Sequence, residues 1–156
     1  MLILLKELAI PNNKIDSILF LCTGNSCRSQ IAEGFAKNIF PDNIKIESAG
    51  IESHGINPYA IETMNEMNID ISNQVSSKIE MGDLDRFDLI VTLCGDANEK
   101  CPVLNKSQKH VHWCLEDPAS FEGNPITINR KFSEIRELIY MKINILFNEC
   151  VKKENN

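Results

Sequence analysis

The sequence predicts a single-domain α/β protein in which a doubly wound sheet of about four parallel strands is flanked by helices. Continuous apolar runs of six or seven residues recur along the chain, which is typical of strands buried on both faces of a parallel sheet. Segments with apolar residues three or four positions apart follow these runs, as in helices that pack on such a sheet. With 156 residues, 43% hydrophobic and 24% charged, the chain has the balance of one globular core.

The first strand and the first helix are the clearest elements. The run Ser17–Cys22 (Ser-Ile-Leu-Phe-Leu-Cys) has no charged residue, so we predict a fully buried strand. From Ser29 onward the pattern changes, and the apolar residues Ile31, Phe35 and Ile39 stand four positions apart. That spacing predicts a helix, joined to the strand by the loop between them.

The middle of the chain alternates strands and helices. We predict a strand over 44–49, a helix that Pro58 opens and that carries Ile61, Met64 and Met67, a buried strand over 88–94, and a shorter strand over 111–115.

A long amphipathic helix over about 127–150 is predicted to close the domain. Its inward face consists of Phe132, Ile135, Ile139, Leu146 and Phe147. We therefore assign 17–150 to one α/β domain, the part of the chain in which any catalytic site is expected. Residues 1–16 form an N-terminal extension whose order the sequence does not decide, and 151–156 a flexible tail.

Charge and composition exclude several classes of partner. The formal net charge is −6, whereas binding to nucleic acid or to an anionic membrane relies on clustered Lys and Arg. The apolar start of the chain is interrupted by Lys6, Glu7 and Pro11 before a signal peptide or membrane span would be complete. We expect a cytoplasmic monomer, and six cysteines in a reducing compartment then indicate catalysis, redox exchange or metal binding.

A loop suited to oxyanions follows the first strand. It has the sequence Cys22-Thr23-Gly24-Asn25-Ser26-Cys27-Arg28-Ser29. A glycine-containing turn between a strand and a helix directs several backbone N–H groups to one point, where the helix dipole adds about half a positive charge. We predict that a tetrahedral anion binds there, contacted by all the residues from Thr23 to Ser29.

Cys22 and Arg28 stand at the two ends of this loop, so a thiol and a planar guanidinium can converge on one oxyanion. The thiolate is the nucleophilic form, and backbone donors, the helix end, Arg28 and the Ser29 hydroxyl would all favour it. Asn25 tolerates positive φ, and its amide can brace the loop. The alternative is a Cys that merely ends a core strand and an Arg on the surface, which the complete eight-residue string disfavours.

The chain resembles the thioredoxin-coupled arsenate reductases, which share the fold of the low-molecular-weight protein tyrosine phosphatases. The similarity covers most of residues 17–145, and only the two ends stand outside it. Besides the loop, the matching stretches are Ser48–Glu52, His54–Pro58, Val91–Cys94, Cys101–Pro102, His112–Trp113 and Asp117–Ala119.

The resemblance implies that three cysteines reduce arsenate. Cys22 would form a thiol-bound arsenic adduct, and attack by Cys94 would release arsenite and leave a Cys22–Cys94 disulfide. Attack by Cys101 would then give a Cys94–Cys101 disulfide, which thioredoxin would reduce after a loop rearrangement. From the residues alone, Cys94 and Cys101 can pair if the polar segment between them bends, and a thiol pair supplies the two electrons that arsenate needs.

Asp117 precedes Pro118 at a position where this family holds a general acid over the substrate. Protonating the departing oxygen is typically worth about 10²–10⁴-fold in rate. The alternative is an ordinary Asp-Pro turn. Ala119, Ser120 and Phe121 follow where phosphatases of this fold usually carry neighbouring tyrosines, which favours a small inorganic substrate over phosphotyrosine.

The remaining cysteines and the histidines are predicted to be structural. We expect Cys27 to pack within the loop, and Cys114 and Cys150 to be buried thiols. His54, His110 and His112 have no recognisable metal-binding spacing, so we predict no catalytic metal and no bound cofactor.

A potassium ion near the loop is a further property of some relatives. Asn25, Glu33 and Ser48 match three of the positions involved, whereas Val75 and Ser77 stand where those relatives have oxygen-rich side chains. The potassium site is therefore only partly matched.

Three functions remain open from the sequence. Arsenate reduction leads, phosphomonoester hydrolysis by the same loop is second, and a non-enzymatic oxyanion-binding or redox-sensing module is third. Weak phosphatase side activity fits the first, because arsenate and phosphate are near isosteres.

Overall fold

The computed structural model describes residues 14–94 and 109–152. The elements follow one another as β1 (Ser17–Cys22), α1 (Arg28–Ile39), β2 (Lys45–Gly50), α2 (Pro58–Asn65), β3 (Leu89–Thr92), β4 (His110–His112) and α3 (Pro125–Lys152). Short 3-10 helices occupy Met81–Arg86 and Pro118–Ser120. The N-terminal extension before Lys14, Cys101 and the last four residues lie outside the described part of the chain.

The four strands form one parallel sheet in the order β2-β1-β3-β4. This confirms the predicted α/β class and the number of strands. Leu21 of β1 is in register with Ala49 of β2 and with Thr92 of β3. Because all strands run the same way, the loops that follow β1, β3 and β4 leave the sheet at one edge.

Both faces of the sheet are covered. On one face Phe20 and Val91 join a core cluster that includes Phe35 of α1, Met64 of α2 and Phe132 of α3. On the other face the alternating residues of the same strands, such as Leu19, Leu21 and Ile90, pack against Leu84 and Phe87. The apolar runs are continuous because each strand buries both of its sides.

Helix α3 confirms the predicted amphipathic helix. Phe132, Ile135, Ile139 and Leu146 are buried, and Phe147 is half-buried against the core. The helix starts two residues earlier than predicted, because Pro125 suits a first turn and the Asn124 side chain accepts a hydrogen bond from the Thr127 N–H, 2.9 Å away. Despite its length, neither α3 nor any other helix of the described residues is apolar enough to cross a membrane.

Strand boundaries near the carboxyl edge differ from the predicted ones. Strand β3 ends at Thr92 rather than at residue 94, and β4 spans His110–His112 rather than 111–115. The Trp113 N–H still donates to the Thr92 carbonyl of β3 at 2.7 Å, and Trp113 and Leu115 are buried although β4 ends at His112. The apolar pattern therefore predicts the burial of this segment, which continues to Leu115, beyond the end of β4.

Two cysteine predictions need correction. Cys114 is exposed, since Val111, Trp113 and Leu115 alternate inward and the residues between them face solvent. Cys150 is half-buried at the edge of the core cluster rather than fully enclosed.

Candidate active site

The oxyanion loop lies where the sequence predicts it. Cys22 is the last residue of β1 and Arg28 is the first of α1. The Cys22 side chain is buried, and its Sγ lies 2.8 Å from the Ser29 Oγ. The N-terminus of α1 therefore points its unpaired N–H groups and its partial positive charge towards the loop.

The loop turns its carbonyl groups outward onto a bracing segment, residues 51–57. The Thr23 carbonyl accepts from the N–H of Glu52 at 2.9 Å, and the Ser26 carbonyl accepts from the N–H of Asn57 at 3.0 Å. In a trans peptide the carbonyl and the following N–H point in opposite directions. The N–H groups of Gly24 and Cys27 are thus directed to the concave side of the loop, where an anion can accept hydrogen bonds from them.

The imidazole of His54 limits the size of the residue at position 24. A Cβ added to Gly24 would lie 2.5 Å from the His54 Nδ1, so any larger residue there requires the exposed His54 side chain to move. The His54 backbone N–H also donates to the Gly24 carbonyl at 3.0 Å, and its Nε2 lies 2.6 Å from a Glu52 carboxylate oxygen. The sequence did not reveal the bracing role of His54 and Glu52, because that role depends on contacts between separate segments of the chain.

Replacing Gly50 with alanine should distort the loop. A Cβ at Gly50 would lie 2.5 Å from the Glu52 carbonyl oxygen and 2.6 Å from the Asn25 backbone nitrogen, and neither backbone atom can yield easily. We expect a loss of about 1–3 kcal/mol in the free energy of unfolding, as for other overpacked sites, together with weaker sulfate binding. Urea unfolding and calorimetry measure the two effects.

Gly82→Ala is the matched control for this variant, because nothing lies within 4 Å of a Cβ at that position. Its stability should stay within about 0.5 kcal/mol of the native protein. Equal behaviour of the two variants would contradict the tight contact at Gly50.

Asn25 braces the loop from inside, as predicted. Its φ is +47°, in the left-handed region. Its Nδ2 donates to the Ser29 Oγ at 2.8 Å and to the Ser48 Oγ at 2.9 Å. Its Oδ1 accepts from the Ser77 N–H at 2.8 Å and from the Gln30 Nε2 at 3.0 Å, so all its hydrogen-bonding groups are engaged.

Arg28 connects the loop to two other segments at the sheet edge. Although charged, it is only 3% exposed, and its Nη1 donates to the carbonyls of Leu93 at 3.1 Å and Leu115 at 3.0 Å. Its Nη2 lies 3.9 Å from the Oδ2 of Asp117. The same guanidinium thereby fixes the chain beside Cys94 and the start of the loop that carries Asp117.

Asp117 is held at the start of a short 3-10 helix. Its Oδ1 accepts a hydrogen bond from the Ala119 N–H at 3.0 Å, and 36% of its side chain is exposed. This bond forms the Asp-Pro turn that the sequence offered as the alternative, while the second carboxylate oxygen of Asp117 faces Arg28. Asp117 therefore forms the turn and also lies near the oxyanion loop.

Cys94 lies beside the oxyanion loop. It follows the end of β3 by two residues and is 3% exposed. The Leu93 N–H donates to the Leu21 carbonyl at 2.9 Å, which keeps the segment after β3 alongside the end of β1. Cys22 thus ends β1 and Cys94 follows the neighbouring strand β3 at the same edge of the sheet, whereas Cys101 and its pairing with Cys94 lie outside the described residues.

Cys27 is a second thiol in the loop, and burial raises its pKa to about 12. The Ser26 hydroxyl lowers the pKa of this thiol, while the charges of Asp117 and Cys22 raise it further. The thiol is neutral at physiological pH and belongs to the core cluster. This environment suits the packing role expected from the sequence.

Within residues 14–94 and 109–152, no three His, Cys, Asp or Glu side chains are grouped so that they could hold a metal ion. The described parts of the site are a buried cysteine, a concave turn of N–H groups, a buried arginine and a nearby carboxylate. Together they define a class: cysteine-dependent enzymes that attack tetrahedral oxyanions.

The comparisons with known proteins agree with this class. The family model of low molecular weight phosphotyrosine protein phosphatase matches residues 17–156. An arsenate reductase of Bacillus subtilis is 51% identical over 127 residues, which are 81% of this chain and 90% of that protein. An arsenate reductase of Oceanobacillus iheyensis is 48% identical over 128 residues, or 82% and 92% of the two chains.

A solved structure described as an arsenate reductase in the phosphate binding state superposes with a TM-score of 0.71 at 35% identity. The match covers 87% of this chain and 99% of that one. The chain belongs to the low molecular weight phosphotyrosine protein phosphatase family and, within it, to the arsenate reductases.

Proposed function

We propose that this protein reduces arsenate to arsenite. The observation that supports it most is a second buried thiol, Cys94, at the sheet edge where Cys22 ends β1. A phosphatase needs only the loop thiol, whereas a reductase needs somewhere to pass the oxidised state of that thiol. The names of the relatives in the family point the same way.

Arsenate would bind in the loop as a tetrahedral oxyanion. The N–H groups of Gly24 and Cys27, the start of α1 and the guanidinium of Arg28 supply positive potential to a chain of net charge −6. The buried position of Arg28 makes its attraction for an anion stronger than it would be in water.

In the first step the Cys22 thiolate attacks arsenic, an S–As bond forms and one oxygen leaves as water. Asp117 would donate a proton to that oxygen, and the bond from the Ser29 hydroxyl would stabilise the thiolate before attack. The approach of Asp117 Oδ2 to Arg28 supports this assignment, because the arginine would also contact the anion.

In the second step the Cys94 thiolate attacks the Cys22 sulfur, and the electron pair of the S–As bond stays on arsenic. Arsenic(V) becomes arsenic(III), arsenite leaves, and Cys22 and Cys94 are joined by a disulfide. Cys101 then attacks Cys94, which frees Cys22 as a thiolate. The Cys94–Cys101 disulfide is finally reduced by the dithiol of thioredoxin.

Phosphomonoester hydrolysis is the second candidate, since the loop and the family model fit it equally well. Water would then cleave a thiophosphate on Cys22 without any second thiol. The absence of tyrosines at Ala119 and Ser120 weighs against an aromatic phosphoester as the physiological substrate.

Steady-state arsenite production tests the proposal directly. With thioredoxin, thioredoxin reductase and NADPH present, we expect arsenate-dependent NADPH oxidation and one arsenite for each NADPH consumed. A phosphatase or a binding module would oxidise no NADPH beyond the background without arsenate, and that outcome would contradict the proposal.

A further inference from the structure

We propose that Lys37 and Glu33 form a positioning pair that orients the Ser48 hydroxyl and polarises the hydrogen bonds leading to Cys22, with the lysine acting as the resident cation. This inference rests on the proposed function, since it concerns the nucleophile of that reaction. It assigns a role to an ion pair on α1 that lies behind the oxyanion loop and contacts no substrate.

The pair joins a buried acid to a half-exposed base. Glu33 is 5% exposed, and its Oε2 lies 2.7 Å from the Nζ of Lys37, one helical turn further on. The other oxygen of Glu33 accepts a hydrogen bond from the Ser48 Oγ at 2.6 Å. A buried carboxylate needs a paired cation and hydrogen bonds to offset the cost of its burial, and Lys37 and Ser48 supply them.

The charge of Glu33 determines how the Ser48 hydroxyl is oriented. A carboxylate only accepts hydrogen bonds, so Ser48 must donate its single proton to Glu33. Its oxygen is then free to accept, and the Asn25 Nδ2 lies 2.9 Å away as the donor. The Ser77 N–H bonds the Asn25 Oδ1 at 2.8 Å and fixes the same orientation of the amide.

The hydrogen bonds that Glu33 and Ser77 orient continue to the nucleophile. The Asn25 Nδ2 also donates to the Ser29 Oγ at 2.8 Å, so the Ser29 oxygen acts as an acceptor there. The remaining proton of that hydroxyl is therefore available to Cys22, whose Sγ lies 2.8 Å away. A hydroxyl that donates to sulfur stabilises the thiolate, whereas one that accepts from it stabilises the thiol.

The residues that match a potassium site in some relatives do not fit the ion here. Both lone pairs of the Asn25 Oδ1 are taken by Ser77 and Gln30, and the ammonium of Lys37 already neutralises Glu33. Val75, another of those positions, is an apolar side chain that is 71% exposed. An open cavity of about 420 Å³ borders Glu33, Lys37 and Ser48, but its lining does not include Cys22.

A surface lysine paired four residues away on a helix commonly stabilises only that helix, and only slightly. Such a pair would have no effect on the reactivity of a thiol several bonds away. The Lys37–Glu33 pair differs because Glu33 is buried and its second oxygen accepts the hydrogen bond of the Ser48 hydroxyl. A change in the pair therefore acts directly on that hydrogen bond.

The pH dependence of Cys22 alkylation distinguishes the two roles. Iodoacetamide labelling, resolved by peptide mass spectrometry, measures the thiolate of Cys22 in the full chain. We expect Lys37→Met to move the midpoint to higher pH and to slow labelling at neutral pH by about threefold, since the bonds of a chain polarise one another. Lys37→Arg, which keeps the cation, should restore the native profile.

Lys45→Met is the matched control, because Lys45 is 53% exposed and pairs with Glu47 at 3.2 Å, much as Lys37 is 52% exposed beside Glu33. It removes the same charge without touching the hydrogen-bond chain, and its profile should match the native one. A Lys37→Met profile identical to that of Lys45→Met would overturn the positioning role.

The same labelling in potassium chloride and in choline chloride, at equal ionic strength, tests the cation. We expect no difference for the native protein, and a clear dependence on potassium would overturn the assignment to Lys37. Neither labelling experiment uses arsenate, so its outcome is separate from the NADPH assay. A failure of arsenite production would refute the proposed function while leaving the profiles interpretable.

Discussion

Arsenite production should disappear when Cys22 is replaced by serine. A serine hydroxyl stays protonated at neutral pH, and it can form neither the S–As bond nor the disulfide that removes arsenic(III). In other enzymes the loss of the catalytic nucleophile lowers turnover by about 10⁶-fold. We therefore expect the variant to produce arsenite no faster than the reaction without enzyme. The thioredoxin-coupled assay of NADPH oxidation measures it.

Cys114→Ser serves as the control, because Cys114 is exposed between the buried residues Trp113 and Leu115 and takes no part in the proposed relay. We expect native turnover from it. Circular dichroism should show the same melting behaviour for both variants, since serine is nearly isosteric with cysteine. Turnover in Cys22→Ser above the enzyme-free rate would refute Cys22 as the nucleophile.

The second large effect concerns Cys94 and Cys101. With Cys94→Ser the arsenic adduct on Cys22 has no internal thiol to attack it, so we expect no release of arsenite in the absence of added thiol. With Cys101→Ser the first disulfide forms once and cannot be passed on, so we expect one arsenite per protein and then arrest. Rapid-quench analysis of arsenite and mass spectrometry of the Cys22–Cys94 disulfide measure both.

Phosphatase activity provides the internal control for these two variants. Hydrolysis of a small aryl phosphate uses only the loop and should persist in both, which also shows that the loop is folded. If Cys94→Ser and Cys101→Ser both sustained multiple turnovers of arsenate with thioredoxin, the three-cysteine relay would be wrong.

Much of the fold follows from local sequence patterns. Ser17–Cys22 is a strand in the structure at the predicted bounds, because a run buried on both faces must be apolar throughout. Asn25 adopts the predicted positive φ, since few other residues tolerate it. The inward face of α3 is also confirmed, because 3.6 residues per turn place its apolar side chains in one stripe.

The local patterns fail where the cause of burial lies elsewhere in the chain. The apolar residues Trp113 and Leu115 suggested a longer β4, yet the strand ends at His112, and Leu115 is buried beyond the last sheet hydrogen bond, which the Trp113 N–H donates. Cys114 seemed buried for the same reason, although its neighbours alternate around it. An apolar pattern records how much surface is covered and leaves open which element covers it.

For the site, the sequence by itself determined the loop from Cys22 to Ser29, the strand before it and the helix after it, because these are consecutive residues with local geometry. Only the tertiary structure decided that Arg28 bonds the carbonyls of Leu93 and Leu115, and that Ser48 connects Glu33 to Asn25. Those partners are 15 to 87 positions apart. Side chains at such separations meet because the parallel sheet brings its carboxyl ends to one edge and because α1 packs against β2.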